Sequence, residues 1–139
     1  MSYSRVIPVE FNHCDPAGIV FFPRYFEMVN SVVETFFAEV LGRPFAAVVA
    51  AGHGVPTVRL ESDFRAPSRL GDRLRFTLRV ERAGTTSLAL AHEARAGEEL
   101  RIAVRQTIVW TEGGRACPWP VEIRARIEAF QEDGDAQPA

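Results

Sequence analysis

From Phe11 to Phe26 the sequence reads Phe-Asn-His-Cys-Asp-Pro-Ala-Gly-Ile-Val-Phe-Phe-Pro-Arg-Tyr-Phe, setting a carboxylate, an imidazole and a thiol among aromatic and aliphatic side chains. Asp15 is the residue best suited to chemistry. An acid among apolar neighbours loses solvation, which fits it to give up a proton or, as an anion, to attack or to activate water. The dipeptide Asp15-Pro16 also reads as a simple turn, with the aspartate accepting a backbone N–H and Gly18 supplying positive φ. Just downstream, Pro23 fits the first position of a helix, and Phe22 before it has no side-chain oxygen to cap the helix. Its first amides are then free at the positive end of a helix dipole, which suits an oxygen gaining charge in acyl transfer. Phe21, Phe22 and Phe26 can wall such a cavity or sit in the core.

Other polar residues are weaker candidates. His13, two residues from Asp15, can orient it. His92 falls on the apolar face of a strand beside Leu88 and Leu90, a position typical of a hydrogen-bonded core histidine, and His53 lies between two glycines in a loop. Glu27, Asn30, Ser31 and Glu34 share the less apolar side of the helix, so Glu27 or Glu34 is a competing acid or part of a solvated face. Cys14 and Cys117 are far apart, and neither they nor the histidines show metal-ligand spacing, so reduced thiols and no metal site are expected.

All 16 basic residues are arginine. The absence of lysine excludes Schiff-base chemistry and the lysine-ended phosphate loop, and any phosphate must be met by guanidinium. A net charge of −2 without a basic block disfavours nucleic acid as a partner. No signal-type or membrane-spanning apolar run is visible, so a cytoplasmic protein without membrane association is expected.

Asp15-Pro16-Ala17-Gly18-Ile19-Val20-Phe21-Phe22-Pro23-Arg24-Tyr25 resembles the signature of the 4-hydroxybenzoyl-CoA thioesterase family within the hotdog-fold superfamily. The resemblance implies an acyl-CoA thioesterase. It assigns nucleophilic attack on the thioester, or activation of water, to Asp15, and gives the thioester oxygen to the backbone N–H of Phe22. Coenzyme A is then part of the substrate, and no separate cofactor is implied. Gly18, Phe21 and Phe26 fall in or beside the signature as substrate-binding candidates. The family places basic residues in a hairpin that holds the CoA nucleotide, whereas the matching hairpin reads Arg82-Ala83-Gly84-Thr85-Thr86-Ser87, one arginine and three hydroxyls; Arg82, Thr85, Thr86 and Ser87 are the candidates there, with outward arginines such as Arg59, Arg101 and Arg105. Phe22 also removes any tyrosine hydroxyl contact at that position, which leaves the acyl group open. Two other readings stand beside the thioesterase: a hotdog enoyl-CoA hydratase or dehydratase using His13, and a non-catalytic module binding acyl-CoA or an acyl-carrier protein.

The elements that must position these residues follow from periodicity. Tyr25, Phe26, Val29, Val32, Val33, Phe36, Phe37, Val40 and Leu41 recur at three- and four-residue steps and predict a helix over about 23–41, stopped by Gly42. A strand precedes it over about 3–12. Strict alternation predicts further strands over 57–65 and 73–81, with two more at 87–95 and 100–111, read as an antiparallel meander. Short helices are expected at 44–51 and 121–130. The fold class is therefore α+β, an antiparallel five-stranded sheet wrapped around one long helix, in a single domain over 1–131 followed by a flexible acidic tail over 132–139. One sheet leaves an edge and an outer face uncovered, which predicts a homo-oligomer, a dimer or a dimer-of-dimers tetramer.

Overall fold

The computed structural model describes residues 1–136 of the 139-residue chain. In chain order the elements are β1 (Ser2–Pro8), a single 3-10 turn (Phe11–His13), α1 (Phe22–Glu39), α2 (Phe45–Ala50), β2 (His53–Gly54), β3 (Thr57–Phe64), β4 (Arg73–Ala83), β5 (Ser87–Ala96), β6 (Glu99–Val109), β7 (Thr111–Glu112), β8 (Arg115–Ala116) and α3 (Val121–Ala136). Five strands form one antiparallel sheet in the order β1-β4-β5-β6-β3. The fold is the expected α+β roll.

Helix α1 lies across the concave face of that sheet because its apolar stripe is wide: Tyr25, Met28, Val29, Val32, Val33, Phe36 and Phe37 are buried. They meet Leu74, Phe76 and Leu78 of β4, Leu88 and Leu90 of β5, and Ile102, Val104 and Ile108 of β6 in one core. Each such side chain contributes roughly 1.5–3 kcal/mol by leaving water. Gly42, at φ +70°, ends the helical run by reversing the chain, and Arg43 N–H returns to Phe37 O at 2.8 Å. Tyr3 and Arg5 of β1 tie to α1 from the flank, through Glu39 and Ser31 respectively.

Three expectations change. The four later strands are not a meander: β3 pairs with β6, across the sheet from β4, because the eight residues between β3 and β4 make a wide connection through Pro67 and not a tight hairpin. The first strand stops at Pro8, and once Val9 has exchanged backbone hydrogen bonds with Asp72 and Gly71 the chain turns into the 3-10 segment. Helix α3 runs on to Ala136, so residues 132–136 of the expected tail are helical, and 137–139 lie outside the described residues. α3 contributes to the core: Ile123, Ile127 and Phe130 are buried, and Phe130 packs on Phe36 at 5.1 Å between ring centres. With Trp110, Trp119 and Phe37 they seal the end of the roll farther from Asp15. No helix among the described residues is long and apolar enough to cross a membrane.

Candidate active site

The loop from β1 to α1 is built by its own backbone. Asp15 N–H donates to Ile19 O (3.0 Å) and Gly18 N–H to Asp15 O (2.9 Å), while Cys14 and Val20 pair as a short antiparallel bridge. The result is a miniature hairpin with Asp15 at its base. Gly18, at φ +80°, takes a conformation that a side chain would strain. Asp15 Oδ1 accepts the Ala17 N–H at 2.9 Å. The turn anticipated for Asp15-Pro16 therefore forms, and it fixes one carboxylate oxygen while the other has no protein partner among the described residues.

The hairpin is anchored on both sides. Phe21 N–H donates to His13 O (2.9 Å), which holds the helix start beside the loop, and Val20 N–H donates to Ser68 O (2.8 Å). Ser68 belongs to the turn before β4, where Arg69 N–H and Arg101 Nη1 both donate to Asp72 Oδ2, at 2.9 and 2.7 Å. Those bonds, the backbone one first, hold the Asp72 carboxyl below its ordinary range. The support is ionic and clamped.

At the start of α1 the amides divide cleanly. Phe21 is the extended residue before the helix, Pro23 has no N–H, and Arg24 N–H is taken by Phe21 O at 2.8 Å. Phe22 N–H remains without a partner among the described residues, as the missing cap implied. Asn12, Cys14, Asp15, Pro16, Phe21 and Arg24 line a cavity of about 350 Å³ beside it. A second cavity of about 340 Å³ opens at the same helix start, lined by Ile19, Val20, Phe22, Tyr25, Phe64 and Pro67 among others. The arrangement sets a half-buried carboxylate in the first cavity and an unpaired amide at the helix start that the two cavities flank.

Other candidates are placed elsewhere or otherwise engaged. His13 Nδ1 accepts the Glu10 N–H at 2.8 Å, so its ring closes the 3-10 turn. Glu27 is held on the exposed helix face by Arg24 Nη1, at 3.0 and 2.9 Å, and Glu34 is exposed. His92 is buried, bonded through Nε2 to Gln106 Oε1 at 2.9 Å, and burial holds it down to about 4. His53 stacks on Trp110 at 4.6 Å. Phe26 is half-buried and turns edge-on to Phe64.

The hairpin carrying Arg82, Thr85, Thr86 and Ser87 lies at the opposite end of β4 from Asp15. Eleven residues of strand separate the two ends, roughly 35 Å if straight. Its backbone carbonyls are taken from the α3 side: Trp119 N–H donates to Thr85 O, Trp119 Nε1 to Ser87 O, and Arg124 Nη1 to Gly84 O. Within one chain the hairpin and Asp15 do not form one site. Of the outward arginines, Arg59 pairs with Glu61, Arg105 with Glu81, and Arg101 with Asp72 and Glu99. The residue that the sequence reading passed over is Phe64: its alternation marked a strand, but not that the strand ends beside Phe22.

The model of the thioesterase-like superfamily matches residues 9–127, most of the chain. The chain belongs to that superfamily. It is a thioester hydrolase of the hotdog fold. No curated protein sequence matches it. Among solved structures it is similar to a gentisyl-coenzyme A thioesterase, at 25% identity and TM-score 0.84 over 90% of this chain and 99% of that one. It is also similar to a 1,4-dihydroxy-2-naphthoyl-CoA thioesterase from Synechocystis, at 20% identity and TM-score 0.85 over 94% and 98%. A third is an Asp-to-Asn mutant of 4-hydroxybenzoyl CoA thioesterase complexed with 4-hydroxybenzoyl CoA, at 22% identity and TM-score 0.81 over 91% and 98%.

Proposed function

We propose that this protein is a cytoplasmic, homo-oligomeric acyl-CoA thioesterase acting on an aromatic or medium-chain acyl group. The reading rests on one observation above all: a carboxylate with one oxygen fixed by Ala17 N–H and the other unpaired, beside a helix start whose free donor is Phe22 N–H. The thioester carbonyl oxygen rests on that amide. The free oxygen of Asp15 attacks the carbonyl carbon, or draws a proton from water that does so, and the charge that develops on the oxygen is met by the amide and the helix dipole. Collapse of the tetrahedral species breaks the C–S bond and releases coenzyme A as its thiol. Water supplies the oxygen and protons that balance the carboxylic acid and thiol products, directly or by hydrolysing an acyl-Asp15 intermediate.

The hydratase alternative needs a histidine facing the substrate, and its candidate, His13, has its Nδ1 drawn into the 3-10 turn. Arg82, Thr85, Thr86 and Ser87 serve the CoA nucleotide only if a second copy of the chain brings its hairpin to this opening. A homodimer also accounts for β3, a free sheet edge whose Val58 and Leu60 are 61% and 42% exposed.

Asp15→Asn keeps the Ala17 hydrogen bond and removes the charge. It should lower thiol release from benzoyl-CoA and hexanoyl-CoA at least a hundredfold with an unchanged melting temperature. Turnover near wild type would refute the assignment, and saturable binding without release by the wild-type protein would make this a binding module.

A further inference from the structure

Phe64 lies outside the buried core. It is half-exposed on an edge strand, yet four aromatic rings converge there: Phe64 stands edge-on to Phe22 at 6.1 Å and to Phe26 at 6.2 Å, and tilted against Tyr25 at 6.0 Å. The two cavities at the helix start differ in character. The first is lined by Asp15, Arg24 and Asn12 beside Phe21 and Pro16; the second is walled by Phe22, Tyr25 and Phe64 with Val20 and Ile19, and Arg65 at its rim is its only charged residue. Phe21 lines one and Phe22 the other, so the Phe22 amide stands between them.

A thioester whose oxygen rests on that amide has two arms of unlike chemistry. One is an acyl group; the other is a polar pantetheine chain ending in phosphates. We propose that the acyl group enters the aromatic cleft between the first turn of α1 and the end of β3, that the thiol arm leaves past Asp15 and Arg24, and that Phe64 sets which acyl groups fit. This rests on the thioesterase reading and deepens it. A ring held edge-on by its neighbours favours a flat acyl group, which it can contact over its face, and shortens the cleft for a long flexible chain. Arg65 has no ion-pair partner among the described residues, so the rim also tolerates an acyl group that carries an acceptor.

The test uses binding, so that it does not depend on turnover. Non-hydrolysable CoA thioethers bearing a benzyl or an octyl group are titrated into wild-type, Phe64→Ala and Phe64→Leu proteins. The ratio of the two affinities cancels the CoA arm and any general loss of fold. Phe64→Ala should shift that ratio at least about tenfold towards octyl, with Phe64→Leu between, since aromatic contact is lost and the cleft lengthens. In parallel, kcat/KM for benzoyl-CoA and octanoyl-CoA should shift in the same direction. An unchanged ratio in both variants overturns the proposal. A shifted ratio in a protein that hydrolyses no acyl-CoA keeps the acyl cleft and sinks the thioesterase reading, while failure of the wild type to bind either thioether sinks both.

Discussion

In the proposed mechanism position 22 contributes twice, by its backbone to the reacting oxygen and by its ring to the cavity wall. The two contributions can be separated because the residue sits at the first helical position, where proline is sterically tolerated, and because Phe21 already has the extended conformation, φ −69° and ψ 122°, that a following proline demands. Phe22→Ala removes the ring and keeps the donor; Phe22→Pro removes both. In steady-state assays of acyl-CoA hydrolysis, the alanine variant should keep kcat within about tenfold, and the proline variant should lose a hundred- to a thousandfold, the usual cost of one oxyanion donor. Equal losses would mean that the ring, and not the amide, matters. The carboxylate and the uncapped helix start were both legible in the sequence, because each follows from residue type alone. What was not legible was the occupation of individual atoms: nothing in the spacing of His13 and Glu10 tells that the imidazole is drawn into a 3-10 turn and away from Asp15.

At the scale of elements, β3, β6 and β5 are joined below the helix by a polar chain across an otherwise apolar face. Gln106 Nε2 donates to Thr57 Oγ1 at 2.9 Å, and Gln106 Oε1 meets His92 Nε2. Burial, only partly offset by the Gln106 bond, brings His92 from an ordinary 6.5 to about 4. The folded protein therefore refuses a proton that the unfolded chain accepts. Stability is full above pH 6.5 and falls as pH drops from 6.5 towards 4, by on the order of 3 kcal/mol. His92→Leu should flatten that dependence, read as urea midpoints at pH 7 and pH 5; an unaltered pH slope would assign it to other groups. Strand existence was plain in the alternation of β3 and β4, and α1 was plain in its three- and four-residue steps. Pairing was not, since alternation says which face a side chain takes and nothing about the neighbouring strand, and so β3 was placed beside β4 when it lies beside β6. β2, β7 and β8 span two residues each and are too short to carry a period.

The whole molecule is asymmetric along α1. One end is closed by Trp110, Trp119, Phe36, Phe37 and Phe130, all buried, while the other leaves Phe11, Phe21, Phe22 and Phe64 about half or more exposed. The free edge of β3 borders that open end and is the surface expected to meet a second copy. Leu60→Asp should convert a sedimenting dimer to monomer without loss of helical signal and weaken acyl-CoA turnover with it; a dimer that survives the charge would move the contact to the sheet's outer face. The closed end also explains how so much apolar surface can be left open near Asp15, because the packing that secures the fold lies elsewhere. On the proposed mechanism, a lineage carrying this chain can therefore explore new acyl substrates by drift at Phe22 and Phe64 with little risk to folding, while the chemistry, assigned to one turn and one backbone amide, passes from one substrate to the next unchanged.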